Sequence, residues 1–311
     1  MKRASWLPSI WLWPLSAVLL TACGGTPTQK AAAPTPSAAS SRNADELTAS
    51  ALSLWGNGAA TESQALTQIQ KAAQLAAERP EIVWVYLRIC EVVRGCDTQP
   101  IEVQLRKLDP ASGAVWLGPL GRAQARRDTA AETQILEVMS KATHFNVYWT
   151  TLIASLSPPL SRTPAAVMPQ PQPTPLTNAM NASIGWLSRL DTAAFTPISN
   201  ACSEQRVRDP ATRVRCDSIA QALRNSDTTL AEGMGLGISQ RLSAQNSAAS
   251  LKLQEQINTL RYQTRAAGGV VAAQLERDKF SEQMLKLNAQ LKREQDVSRA
   301  ILRWAGQPLT Q

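Results

Sequence analysis

Residues 135–145 read Ile-Leu-Glu-Val-Met-Ser-Lys-Ala-Thr-His-Phe. Ile135, Val138, Met139, Ala142 and Phe145 recur at three- and four-residue steps, which lays an apolar stripe along one face of an α-helix. A half-buried strand would alternate every second residue instead. His144 lies beside the stripe, and Asn146 is placed to cap a following helix that turns Trp149, Leu152, Ile153 and Leu156 inward. The same period returns downstream at Leu253, Ile257, Leu260 and Thr264, and again at Phe280, Met284, Leu287 and Leu291. Val297, Ile301 and Trp304 continue that second face. With Gly268-Gly269 between them, these segments predict a long antiparallel helical hairpin. Composition agrees. The chain is rich in alanine and leucine and holds only three Phe and three Tyr, which favours helix over sheet. The expected fold class is all-α.

Proline divides the chain. Seven prolines fall between Pro158 and Pro175, with Arg162 the one charge among them. Such a stretch favours polyproline II and lacks backbone donors, so 158–175 reads as a linker. It separates a helical region, 44–157, from a second one, 176–311. In the latter, Asp209-Pro210 predicts an N-cap with proline at the first helical position, and Asp227 begins a further helix. Gly233, Gly235 and Gly237 lack the spacing and the flanking strand of a phosphate loop. Glycines four apart on a helix instead permit close helix contact.

In 44–157, Trp55, Trp84, Trp116 and Trp149 are spaced by 29, 32 and 33 residues, with turn signals at Gly56-Asn57-Gly58, Gly95-Cys96-Asp97 and Arg127-Asp128. A period near 30–34 in paired helices is the mark of a stacked helical array. With Leu120-Gly121 and Leu108-Asp109-Pro110, the region loosely resembles the tetratricopeptide class; the resemblance covers about 110 residues and implies repeated core tryptophans. It also resembles a group of exported bacterial proteins with paired cysteines in helical hairpins, which implies no particular activity.

The N-terminus reads as an address. Met1-Lys2-Arg3 is basic, Trp6 to Leu20 is apolar, and Leu20-Thr21-Ala22-Cys23 ends the stretch. That order is the plan of a secretory signal peptide, here 1–22. Leu-Thr-Ala-Cys resembles the bacterial lipobox. The resemblance implies that Cys23 is acylated and becomes the first mature residue, held by membrane lipid. Each buried CH₂ of such chains contributes about 0.8 kcal/mol. Gly24, where an aspartate would retain the protein at the inner membrane, points by the same resemblance to the outer membrane, facing the periplasm or the cell surface. Residues 23–43, poor in charge and in large apolar groups, read as a disordered tether.

Export places the other four cysteines, Cys90, Cys96, Cys202 and Cys216, in an oxidising compartment. Four cysteines allow three pairings; the local ones, Cys90–Cys96 and Cys202–Cys216, are preferred, with four buried thiols as the alternative. The spacing is not that of a zinc site, so no metal is expected. The formal net charge of +8 falls to +6 without Lys2 and Arg3. Residues 44–157 carry −2 and residues 176–311 carry +5. For an exported chain, anionic lipid, peptidoglycan or an acidic protein surface is a better partner than nucleic acid.

Catalytic signals are sparse. His144 is the only histidine, no Gly-x-Ser-x-Gly elbow is present, and no cofactor motif is found. Arg206, Arg208, Arg213 and Arg215 are interspersed with Glu204, Asp209 and Asp217, the pattern of a paired, solvated face. The expectation is a non-enzymatic outer-membrane lipoprotein, a helical scaffold or adaptor for an envelope protein. The alternatives are a peptidoglycan-active enzyme working through two carboxylates, which needs no histidine, and a self-associating spacer built on the C-terminal hairpin.

Overall fold

A computed structural model describes residues 38–56, 59–162, 174–274 and 278–310. Cys23, the signal peptide, most of the tether and residues 163–173 of the proline-rich stretch lie outside them. The described residues form thirteen α-helices and no strand. They are α1 Ala38–Gly56, α2 Glu62–Leu75, α3 Pro80–Val92, α4 Gln99–Leu108, α5 Leu117–Ala125, α6 Thr129–Met139 and α7 Trp149–Ser161. After the proline-rich stretch come α8 Pro175–Ala201, α9 Pro210–Arg224, α10 Thr229–Leu242, α11 Ala248–Gln274, α12 Asp278–Gln290 and α13 Glu294–Trp304. The all-α expectation therefore holds.

Local chemistry sets many helix starts. Asp128 accepts from the Ala131 N–H at 3.0 Å, and Asp209 accepts from that of Thr212 at 2.7 Å. Thr174 and Thr228 cap α8 and α10 in the same way. Each cap satisfies a donor that the first helical turn leaves unpaired. Pro80, Pro175 and Pro210 stand in the first turn, where the missing N–H costs nothing.

Several boundaries differ from the sequence reading. The helix over 135–145 stops at Met139, and its inner face is Glu132, Leu136 and Met139, while Val138 is exposed. Phe145 is buried, but from the loop beyond. Asn146 caps nothing that the structure describes; α7 begins after Tyr148. α1 takes over the last residues assigned to the tether, 38–43. α7 runs through Pro158 and Pro159, so those prolines belong to a helix and not to a linker.

The packing corrects the domain picture as well. Helices on both sides of the proline-rich stretch share one apolar core, with α8 packed on α5 and α7, and α12 packed on α7. The division into 44–157 and 176–311 is not a division of the packing. Nor is the first region a nearest-neighbour stack of the kind a helical array requires: α1 packs on α2 and also on α7. Trp84 and Trp149 are buried, as a repeated core position implies. Trp55 and Trp116 are half-buried beneath Arg189 and Arg106, each guanidinium 4.7 Å from the ring centroid.

The expected C-terminal hairpin is also rearranged. α11 runs straight through Gly268-Gly269 to Gln274 and packs on α10 and α13. α12 turns away to α7 and α8, and the chain breaks again at 291–293 before α13. Among the α10 glycines, the close contact falls at Gly235. A Cβ there would meet Ala220 O at 2.6 Å and Arg224 N at 2.9 Å, both backbone atoms of α9. Gly237 faces open space. Gly235→Val should therefore push α9 and α10 apart and cost about 2 kcal/mol in urea unfolding. Gly237→Ala should be neutral or stabilising by up to about 1 kcal/mol. Equal effects would contradict this packing.

Candidate functional site

The four cysteines pair as Cys90–Cys96 and Cys202–Cys216, with Cα–Cα distances of 5.3 and 5.7 Å. The first bridge closes the end of α3 through Gly95, whose φ of +84° suits glycine. The second ties the end of α8 to the middle of α9.

His144 sits in a polar clasp. Its Nε2 lies 3.1 Å from Asp109 Oδ1, and the Tyr148 hydroxyl donates to Asp109 Oδ2 at 2.9 Å. A carboxylate only accepts, so Nε2 carries the proton and Nδ1, 2.9 Å from Thr143 Oγ1, faces a hydroxyl. Burial pushes the Asp109 carboxyl up, but hydrogen bonds from His144 and Tyr148 outweigh it and hold the group below the ordinary range. Burial, and then Asp109, push the Tyr148 phenol upward, so it stays protonated. Hydroxyl, imidazole and carboxylate thus stand in the order of a hydrolytic triad. A triad also needs a space for the reacting atom with donors beside it. The cavities of about 930 and 530 Å³ among the described residues are lined by no member of this cluster. What it does is tie the α4 end to the segment before α7, helped by Gly113 N–H donating to His144 O at 2.8 Å.

The tightest polar junction was not visible in the sequence. Asp227, between α9 and α10, accepts from Val147 N–H through Oδ1 and from Trp149 N–H through Oδ2, both at 3.0 Å. Ser226 Oγ accepts from Phe145 N–H at 2.8 Å. From the other side, Glu294 N–H donates to Asp227 O at 2.8 Å, and Thr229 donates to Glu294 Oε2 through both N–H and hydroxyl. Arg293 donates to Ser226 O and Arg224 O, and Gln295 to Thr228 O. Residues 224–229 are therefore gripped by the α7 entry and by the start of α13.

Between α9, α10, α11 and α13 lies a groove of about 930 Å³. Leu236, Leu253 and Leu260 give it an apolar strip; Arg224, Lys252 and Glu255 are among its charges. A second cavity of about 530 Å³ opens beside the Cys90–Cys96 bridge. The arginine cluster is mostly engaged: Arg206 with Glu132 at 2.6 Å, Arg215 with Glu137 at 3.2 Å, and Arg213 with Leu242 O. Its partners lie on α6 and at the end of α10, not among the acids interspersed in sequence. No protein-family model, curated protein or solved structure matches the chain.

Asp227→Ala would leave two buried N–H groups unpaired and should cost roughly 2–4 kcal/mol in chemical denaturation, with faster amide exchange at Val147 and Trp149. His144→Ala, which removes one half-buried partner of Asp109, should cost about 1 kcal/mol. A larger loss at His144 than at Asp227 would reverse this ranking of the two junctions.

Proposed function

We propose that this protein is a non-catalytic lipoprotein of the outer membrane, a helical scaffold or adaptor that docks an envelope protein while acyl chains on Cys23 hold it to the bilayer. The observation that carries the reading is the use of the five cysteines. Cys23 stands alone in Leu20-Thr21-Ala22-Cys23, and the other four are consumed in two disulfides. Disulfides persist in oxidising compartments and are rare in the cytosol. Among the described residues no helix is long and apolar enough to cross a membrane, so in this reading the attachment lies at Cys23.

The adaptor role rests on the surface. The groove between α9, α10, α11 and α13 is open, with mixed charge and a leucine strip. Such a lining suits a protein segment better than a small substrate, which asks for an enclosed, mostly apolar pocket. A carboxylate-based glycan hydrolase would need two free acids facing each other across a cleft. Of the groove acids, Glu232 is committed to Arg293 at 3.2 Å, and Asp217 accepts from Gln221 at 3.0 Å.

Cys23→Ser should release the protein from membranes and abolish labelling by a clickable fatty acid; retained labelling would sink the anchor. Photo-crosslinking from Thr259, in the groove, should yield a discrete protein adduct in intact envelopes. Adducts to glycan strands alone would overturn the adaptor reading.

A further inference from the structure

The two disulfides meet their surroundings differently. Cys202 and Cys216 are both fully buried, and neither borders the cavity of about 930 Å³ or that of about 530 Å³. Cys90 is as deeply placed, at 1% exposed, but Cys96 is half-buried, and both residues border the cavity of about 530 Å³. A disulfide exchanges when a thiolate attacks one of its sulfurs, so access to a sulfur sets the rate. Cys96 offers that access in the folded protein. The Cys202–Cys216 bridge offers it only through local unfolding.

The Cys90–Cys96 bridge also holds something that can move. It ties the connection between α3 and α4 back to the end of α3. Arg94, Gly95 and Asp97 in that connection are exposed. Besides the bridge, Val93 N–H donates to Ile89 O and Cys96 N–H to Val93 O, each at 3.2 Å. Asp97 is turned to α4, where it accepts from Gln99 N–H at 3.0 Å. Val93, Arg94, Gly95, Cys96 and Thr98 form one wall of the cavity, and residues of α5 and α8 form the other side. α3 itself does not depend on the bridge, since Ile82, Trp84, Val85, Leu87 and Ile89 are buried in the shared core.

We propose that Cys90–Cys96 is a redox-exchange site, whose reduction by a dithiol releases residues 93–98 and opens the cavity of about 530 Å³. Cys202–Cys216 stays closed and the helices stay packed. A thiolate of the dithiol attacks Cys96 Sγ and forms a mixed disulfide. The Cys90–Cys96 bond breaks, its electron pair leaves on Cys90 Sγ, and that sulfur takes up a proton. The second thiol of the dithiol then attacks its own sulfur in the mixed disulfide, and Cys96 leaves and is protonated in turn. The dithiol is oxidised by two electrons to its disulfide, and the two protons it gives up balance the two that Cys90 and Cys96 gain. The inference rests on the pairing and burial of these cysteines, not on the anchor at Cys23.

Reduction of the native full chain with dithiothreitol tests the site, with thiols trapped by N-ethylmaleimide in denaturant and located by peptide mapping. Cys90 and Cys96 should be reduced at least about tenfold faster than Cys202 and Cys216, because a fully buried bridge waits for an opening event. Far-UV circular dichroism should stay unchanged while the first pair is reduced. Equal rates, earlier reduction of Cys202–Cys216, or reduction of Cys90–Cys96 only as helicity is lost overturns the proposal. With glutathione, a monothiol, the mixed disulfide should form on Cys96; formation on Cys90 overturns the direction of attack. Cleavage after Arg94 by an arginine-specific protease that tolerates thiols should quicken several-fold once this bridge is reduced. Unchanged cleavage there overturns the release of residues 93–98.

Discussion

The carboxylate of Asp227, with each oxygen holding one backbone N–H of the α7 entry, is the constraint on which the rest of the fold depends. A helix start leaves donors unpaired and carries partial positive charge. α7 has no cap of its own, since its N-cap residue is Tyr148, in the left-handed region at φ 61° and offering no capping side chain. The cap arrives from 78 residues away in the chain. Asp227 is itself held from behind by the start of α13, so one turn fixes the positions of α7, α9, α10 and α13 together.

This explains which parts of the structure were legible in the sequence. The Asp209-Pro210 start and the helical class were legible because they depend on neighbouring residues, and the local disulfide pairs stood out as the preferred option for the same reason. The role of Asp227 was not, because its partners lie far away and its own neighbourhood resembles an ordinary cap. Gly268-Gly269 misled for a related reason. Two mid-helix glycines cost about 2 kcal/mol relative to alanine, a sum that a 27-residue helix packed on α10 and α13 absorbs. The stripe at 135–145 was assigned one rotation off. Apolar spacing alone does not reveal that Glu132 is drawn inward by Gln124 and Arg206, turning Val138 out.

Charge shows the same dependence on distant partners. The excess of +5 over residues 176–311 reads from composition as a basic surface. In the fold, Arg206 and Arg215 cross to α6, Arg241 and Arg213 donate to carbonyls, Arg293 clamps residues 224–226, and Arg189 covers Trp55. Arg206, Arg215 and Arg189 fasten the two sequence regions to each other, while Arg241, Arg213 and Arg293 fasten elements within the second.

The disulfides mark the limit of covalent reinforcement. They span 6 and 14 residues, and neither crosses from one side of the proline-rich stretch to the other. Each constrains only a short loop, so each restricts the unfolded chain modestly. The seam has no such bond among the described residues; buried apolar contacts and the polar junction hold it. A hydrogen-bonded junction built on a buried acid is a less stable solution than a purely apolar one would be, because its charge must be desolvated. It is also more specific, since only one docking of α7 on the α9–α10 turn satisfies Asp227 and Ser226 at once. The groove between α9, α10, α11 and α13 depends on that single arrangement, because residues 224–229 join two of its walls.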